Sequence, residues 1–384
     1  MEKHVLKYRE LSKDGTLARE LAFTDITFSP LGYEALRTAK LHQQIEIPLS
    51  GRGAILSSDV AEIDAGQTAK FGATLESQFT SKAIGLVKGG WLPSMLAAIN
   101  DTIVLPDRCV VAQLSARLKD GVTKPEADKD FIDLFADTVI RINPMLFVLE
   151  GDGGQNPTPE TIGKQLEEAV TKLRSALPKA EMVAADAKGL QGVLGLIQDT
   201  QDGIARRQDF LISLNPKLKS SVSRKNVQSC WDEVLIAADH YGIPKASLVV
   251  LAALSAVVMP QGRNPAKGLL KFGEAYGPKD AYNGLADIRA LEILIYLFGL
   301  FPDQRVMLCT ADKDMAMFWV GLQASNFAFS HGRMTYDIAP TDLLPGVATE
   351  KNGESGLAPK AICDHRGTSA DSYAALIPHL SAEA

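Results

Sequence analysis

Twice along this chain a short apolar run ends in an acid and leads directly into a helical repeat. Val306-Met-Leu-Cys309 reads as a buried strand, Thr310 to Asp314 as a polar turn, and Met315 to Leu322 as an apolar helix. Asn100 to Asp107 repeats the arrangement as a strand whose far end carries Asp107, and Val110, Val111, Leu114 and Leu118 then recur at helical spacing. Between these two units the periodicity is helical almost throughout. Phe131, Leu134, Phe135, Val139 and Ile142 predict an amphipathic helix over 129–142. Asn143-Pro144 then supplies a cap and a first helical position for an apolar turn or two, Met145 to Glu150. A strand over the same residues would also end on Glu150. Ile162, Leu166, Val170, Leu173 and Leu177 form the buried stripe of another helix after Thr158-Pro159-Glu160. Further helical pieces fall at 190–199, 227–240, 245–259 and 282–298, and Asp287 is expected in the first turn or two of the last.

The first ninety residues have a different texture. Gln44 to Leu49 alternates polar and apolar positions, 54–63 does so more weakly, and Gly and Ser separate the runs, which predicts short strands. The pattern changes near Gly89 to Pro93. The expected organisation is an N-terminal β-containing module at 1–92, then an α/β domain at 93–340, with a parallel sheet flanked by helices. A helical insertion is expected at about 181–271, a last strand at 334–338 and an irregular tail at 341–384.

Composition narrows this picture without redrawing it. The 384 residues are 46% hydrophobic and 22% charged, ordinary values for a soluble globular chain. The four cysteines are widely spaced with no Cys-x-x-Cys, which points to buried reduced thiols and a cytoplasmic protein. The start lacks the apolar core of a signal peptide, and the longest apolar run, Leu248 to Met259, is half of what a membrane span needs. A net charge of −6 gives no global attraction to a polyanion. Residues 203–225 nevertheless carry six basic side chains against one acid, so Arg206, Arg207, Arg224 and Lys225 are the best local candidates for touching phosphates. Gly151-Asp-Gly-Gly154 lacks the Gly-Lys-Ser/Thr of a phosphate loop and reads as a turn.

The candidate chemistry lies in the acids. Asp107 and Asp312 end strands, Glu150 ends an apolar segment, Asp287 starts a helix, and Asp314 lies two residues beyond Asp312. Strand-end acids of a parallel sheet gather at its carboxyl edge, where open α/β folds bind ligands. Carboxylates that meet there repel unless a cation stands between them. Helix capping alone would also account for Asp312 or Asp314. Ile103-Val-Leu-Pro-Asp107, Phe147-Val-Leu-Glu150, Ala286-Asp287-Ile288-Arg289-Ala290 and Leu308-Cys-Thr-Ala-Asp-Lys-Asp314 together resemble the PIN-domain nucleases. The resemblance covers about 99–329. It implies a metal-dependent endoribonuclease that hydrolyses phosphodiesters with Mg²⁺ or Mn²⁺, so RNA becomes the expected partner and a membrane does not. It further implies Asp107, Asp287 and Asp312 as metal ligands, with Glu150 and Asp314 as ligands or orienters of the attacking water and Thr310 as a buttress. Two departures stand out. Arg108-Cys109 follows Asp107 where the family has a small hydroxyl or amide residue, and over a hundred residues separate Glu150 from Asp287. The first of these favours a second expectation, a catalytically degenerate scaffold for RNA or protein in which a guanidinium replaces the cation. A phosphatase of the aspartyl-phosphate type is disfavoured, since no Asp-x-Asp follows the first strand. Homo-oligomers and regulatory partners are left open by the sequence.

Overall fold

The computed structural model describes residues 5–345 and 360–363, apart from 61, 100, 125–127, 152, 260–263 and 331–332. Four N-terminal strands, β1 (Leu6–Leu11), β2 (Leu17–Phe28), β3 (Glu46–Ser58) and β4 (Thr68–Glu76), pair in sequence order as an antiparallel half-barrel. A short helix, α1 (Tyr33–Thr38), lies between β2 and β3. The two runs expected as separate strands are one strand, β3. Gly51 does not interrupt it but lets a neighbour come close: a Cβ there would lie 2.6 Å from the Thr27 carbonyl oxygen and 2.7 Å from the Phe71 ring. Phe71 in turn packs on Phe23 and Phe28 to fill the concave face.

The second sheet has six strands: β5 (Ile84–Val87), β6 (Gly90–Pro93), β7 (Ile103–Pro106), β10 (Arg141–Ile142), β11 (Glu181–Met182) and β12 (Val306–Thr310). Two short strands, β8 (Leu118–Lys119) and β9 (Val122–Thr123), form a separate hairpin. The order is β11-β10-β7-β12-β5-β6. Neighbours are parallel from β11 to β12, while β5 and β6 run antiparallel. The sheet is therefore mixed where a parallel one was expected. The hairpin at 84–93 belongs to it and not to the N-terminal module. The physical reason is that β12 is central and apolar on both faces, so its second edge also needs a buried partner, which Ile84 and Leu86 supply at 0% exposure. Tight reversal at Gly89-Gly90 uses positive φ at both positions.

Helices fill the connections: α2 (Ser94–Ala97), α3 (Arg108–Arg117), α4 (Met145–Glu150), α5 (Pro159–Ala176), α6 (Ala187–Leu218), α7 (Val227–His240), α8 (Leu248–Val258), α9 (Pro265–Leu270), α10 (Pro278–Leu300) and α11 (Lys313–Leu322). Most of the segment from 187 to 270 is helical, and α6 alone runs for 32 residues. Among the described residues no helix is long and apolar enough to cross a membrane.

The helix expected over 129–142 is replaced by a 3₁₀ segment, Phe131–Asp137, followed by β10. Asp130 and Asp133 cap that segment reciprocally. Buried Asp130 also accepts from the Thr80 hydroxyl at 2.5 Å and the Lys82 amide at 2.8 Å, which ties the segment to the chain just before β5. Val139, expected on the apolar face, is 66% exposed. Beyond α11, β13 (Ser325–Ser330), β14 (Arg333–Asp337) and β15 (Lys360–Cys363) form a small antiparallel sheet. A strand thus stands in the segment expected to be irregular. One contiguous core joins both large sheets, and Leu31 and Trp91 exchange backbone hydrogen bonds at 2.8 and 3.1 Å across the junction.

Candidate acidic site

Asp107 and Asp312 follow the ends of the adjacent parallel strands β7 and β12, so the register of the pair sets them side by side. Each caps the helix that follows. Asp107 Oδ1 accepts from the Val110 amide at 2.7 Å, and Asp312 Oδ1 accepts from the amides of Asp314 at 2.7 Å and Met315 at 3.1 Å. The capping role is therefore real. It occupies one oxygen of each carboxylate and fixes its orientation. The hydroxyl of buried Thr310 links the two residues: it hydrogen-bonds the Asp107 carboxylate and accepts from the Asp312 amide at 2.9 Å.

Glu150 arrives from the end of α4. Its Oε2 accepts from the Arg108 amide at 3.2 Å, at the start of α3. Its own carbonyl, with that of Leu149, is clasped from α10. Tyr282 Oη donates to the Glu150 oxygen at 3.0 Å, Arg289 donates to the Leu149 oxygen, and Arg289 also bonds Tyr282 at 2.9 Å and Asn156 at 2.9 Å. These donors satisfy carbonyls that a helix C-terminus leaves open. Asp287 lies in the third turn of α10, later than the sequence suggests. Its Oδ2 meets the ammonium of Lys271 at 2.8 Å.

Asp107, Glu150 and Asp287 line one small cavity together with Leu146, Leu149 and Met315, with room for about a single water. Asp312 completes the group electrostatically. Burial of the Asp107 carboxyl raises its pKa to about 7, with Glu150 and Asp287 adding repulsion against the hydrogen bonds from Thr310 and Val110. Burial likewise raises Asp287 to about 7; Asp312 and Glu150 push it further, while Lys271 opposes them. Glu150 is raised by burial despite Arg108, Lys271 and Arg289. Cys109, expected as a buried thiol, is exposed; desolvation by the surrounding protein, then the charges of Asp107, Glu150, Asp287 and Asp312, push its thiol up. Four acids from four separate segments therefore share one region. Asp314 belongs to its margin, because its carboxylate packs against Gly268 of α9, where a Cβ would collide with it.

The group offers half-buried, mutually repelling carboxylate oxygens, which a hard divalent cation would favour, with the Lys271 ammonium and the Arg289 guanidinium already beside them. The spacing is looser than a closed cage, since among the described residues no three of His, Cys, Asp and Glu stand where one ion would bind them all.

The basic run divides. Arg206 on α6 is exposed, as are Arg224 and Lys225 in the 3₁₀ turn before α7. Arg207 is not part of a solvated face. It pairs at 3.0 Å with Glu292 of α10, which is 2% exposed. Sequence reasoning missed Lys271, Tyr282 and Arg289 at the site. The only available signal was Arg289 two residues after Asp287 on an otherwise apolar helix, and nothing marked Lys271. No protein family, curated protein or solved structure matches this chain.

Proposed function

We propose that the chain is a metal-dependent nuclease of PIN-like type, and within that class an endoribonuclease. The observation that carries this reading is the convergence of Asp107, Glu150, Asp287 and Asp312, from segments up to two hundred residues apart, at the carboxyl edge of adjacent parallel strands. A half-buried group of like charges costs stability according to the charge left unbalanced; the Lys271 ammonium offsets that of Asp287, and a divalent cation would offset the rest. Asp107 and Asp312 would hold Mg²⁺ or Mn²⁺, their free oxygens set by the capping bonds and by Thr310. A bound divalent ion supplies an activated water and neutralises phosphate charge. Glu150, fixed by the Arg108 amide and by the clasp on α4, orients the water that attacks phosphorus. Arg206, Arg224 and Lys225 would meet the nucleic-acid backbone beside this edge. Arg207 is left out of the set because its charge is committed to Glu292.

Melting in the presence of Mn²⁺ and cleavage of a mixed-sequence RNA test the reading together. A ligand bound only by the native state raises the melting temperature by mass action. Wild type should show that rise and cut RNA. Asp312→Asn, which keeps a good helix cap, should lose both. A melting response of equal size in wild type and Asp312→Asn would remove Asp312 as a ligand, and RNA left intact at saturating Mn²⁺ would remove the nuclease.

A second reading has its own observation. Lys271 neutralises Asp287 directly, and the Arg108 guanidinium lies over the Phe147 ring, 4.1 Å from its centroid, beside Glu150. A site already supplied with cations fits a scaffold that binds RNA or protein without cutting. RNA binding insensitive to chelator, without cleavage, would select this reading over the first.

A further inference from the structure

Where the half-barrel meets the six-stranded sheet, a groove of about 350 Å³ remains between them. β2 contributes Ile26 and Phe28 to its lining, β6 and α2 contribute Leu92 and Leu96, and α10 contributes Phe298. Thr102 and Val306 also line it, which puts the groove at the amino ends of β7 and β12, whereas Asp107 and Asp312 follow the carboxyl ends of the same strands. It is therefore separate from the acidic region. Small-molecule sites favour such junctions, and their volumes run from about 300 to 1,000 Å³. Charge is present in the same lining. Lys88, on the turn between β5 and β6, and Arg305, directly before β12, are both exposed, and neither forms an ion pair among the described residues. Arg305 donates to the Thr27 hydroxyl at 3.3 Å, and the Lys88 ammonium stands 5.8 Å from the centroid of the Phe327 ring. Asp303 is the one acid among the described lining residues, so two cations against one acid leave an excess of one positive charge.

We propose that this groove binds a small amphipathic carboxylate: an aliphatic chain lies along the apolar lining, and its head group pairs with Arg305 and Lys88. The volume sets the length, because at roughly 30 Å³ for each water-sized group the groove accommodates about a dozen non-hydrogen atoms, the size of decanoate. The chain releases water from apolar surface in proportion to the area it covers. A guanidinium presents parallel N–H donors that match the two oxygens of a carboxylate, and the lysine adds a compact point charge. One excess positive charge suits a monoanion better than a phosphate ester, which carries about 1.5–2 negative charges at neutral pH.

Titration calorimetry of the whole chain with decanoate, its neutral isostere decanamide, and acetate tests the site. Decanoate should bind wild type at a single site, about fivefold tighter than decanamide, the upper range for an exposed ion pair, and acetate should bind more weakly than either. Arg305→Met and Lys88→Met keep an apolar stem at exposed positions, so both should fold as wild type does. Each should weaken decanoate and leave decanamide unchanged. Leu96→Trp fills part of the apolar lining and should weaken decanoate and decanamide alike, with a melting curve to establish that it folds. Failure of wild type to bind decanoate, or binding no tighter than decanamide, would overturn the proposal. Unchanged decanoate affinity in both Arg305→Met and Lys88→Met would overturn it as well. A wild-type dimer in sedimentation velocity that Leu96→Trp dissociates and decanoate does not would give the groove to a second copy of the chain, and would equally overturn it.

Discussion

Asp107 is a helix cap and a member of the acidic group at once, and the two roles separate with pH. Its folded pKa of about 7 is above the unfolded carboxylate value, as is that of Asp287. Between these limits the native state binds more protons than the unfolded one. Stability therefore falls as pH rises from about 4 through 7. Metal-free protein should accordingly melt lower at pH 8 than at pH 5.5. Asp107→Asn keeps an N-cap while removing the buried charge, and scanning calorimetry should show a smaller loss across that range. A loss equal to that of wild type would mean Asp107 ionises freely. Arg207 makes the opposite case. Replacing it with Met takes the guanidinium away from the buried Glu292 carboxylate, at a cost of up to about 3–5 kcal/mol by urea unfolding, whereas Arg206→Ser should stay within about 0.5 kcal/mol. Residues with a local signature were legible: a strand-end Asp before a helical period marks itself. Lys271 and the Arg207–Glu292 pair were not, because each depends on which helices pack together, and no spacing in the sequence encodes that.

At the scale of elements, the clasp on α4 is the most informative arrangement. A six-residue helix has too few internal hydrogen bonds to hold its own end in place. Tyr282 and Arg289 of α10 do so from outside, and through them the backbone of Glu150 is tied to the helix that carries Asp287. Tyr282→Phe should cost about 1–3 kcal/mol, since it removes both the bond donated to the Glu150 carbonyl and the one accepted from the Arg289 guanidinium. Arg289→Met should cost more, because it leaves the Leu149 carbonyl and Asn156 without a charged donor. Both belong in a chemical denaturation series, and a larger loss for Tyr282→Phe than for Arg289→Met would mean that the guanidinium is not the main support. The short helix itself was legible from Asn143-Pro144 and the apolar run, although the clasp was not. The segment 129–142 shows how a correct period can mislead. Its apolar positions fit a helix, but Asp130 and Asp133 form a capping box and engage Thr80, Lys82 and Arg117, and those distant partners end the 3₁₀ turn before Val139 can join an apolar face.

Across the whole molecule, the strand–acid–helix units and the helices between them could be read directly. Sheet direction could not, since a four-residue apolar strand looks the same whether its neighbour runs up or down. The hairpin β5–β6 accordingly falls on the wrong side of a boundary drawn near residue 92. Its pairing with β12 has a consequence for the order in which the protein acquires its structure. β12, residues 306–310, is the wedge between β5 at 84–87 and β7 at 103–106. Residues 107–305 leave the ribosome after both of its partners and before the wedge itself. During that interval two apolar strand edges stand open, and contacts so distant in sequence form slowly. Chains stalled before residue 305 should remain protease-sensitive in the sheet and recruit holdase chaperones, while chains released beyond residue 345 become resistant in one step. The strand that brings Asp312 to the acidic site is thus also the one that closes the sheet, and the site comes into being only when the fold does.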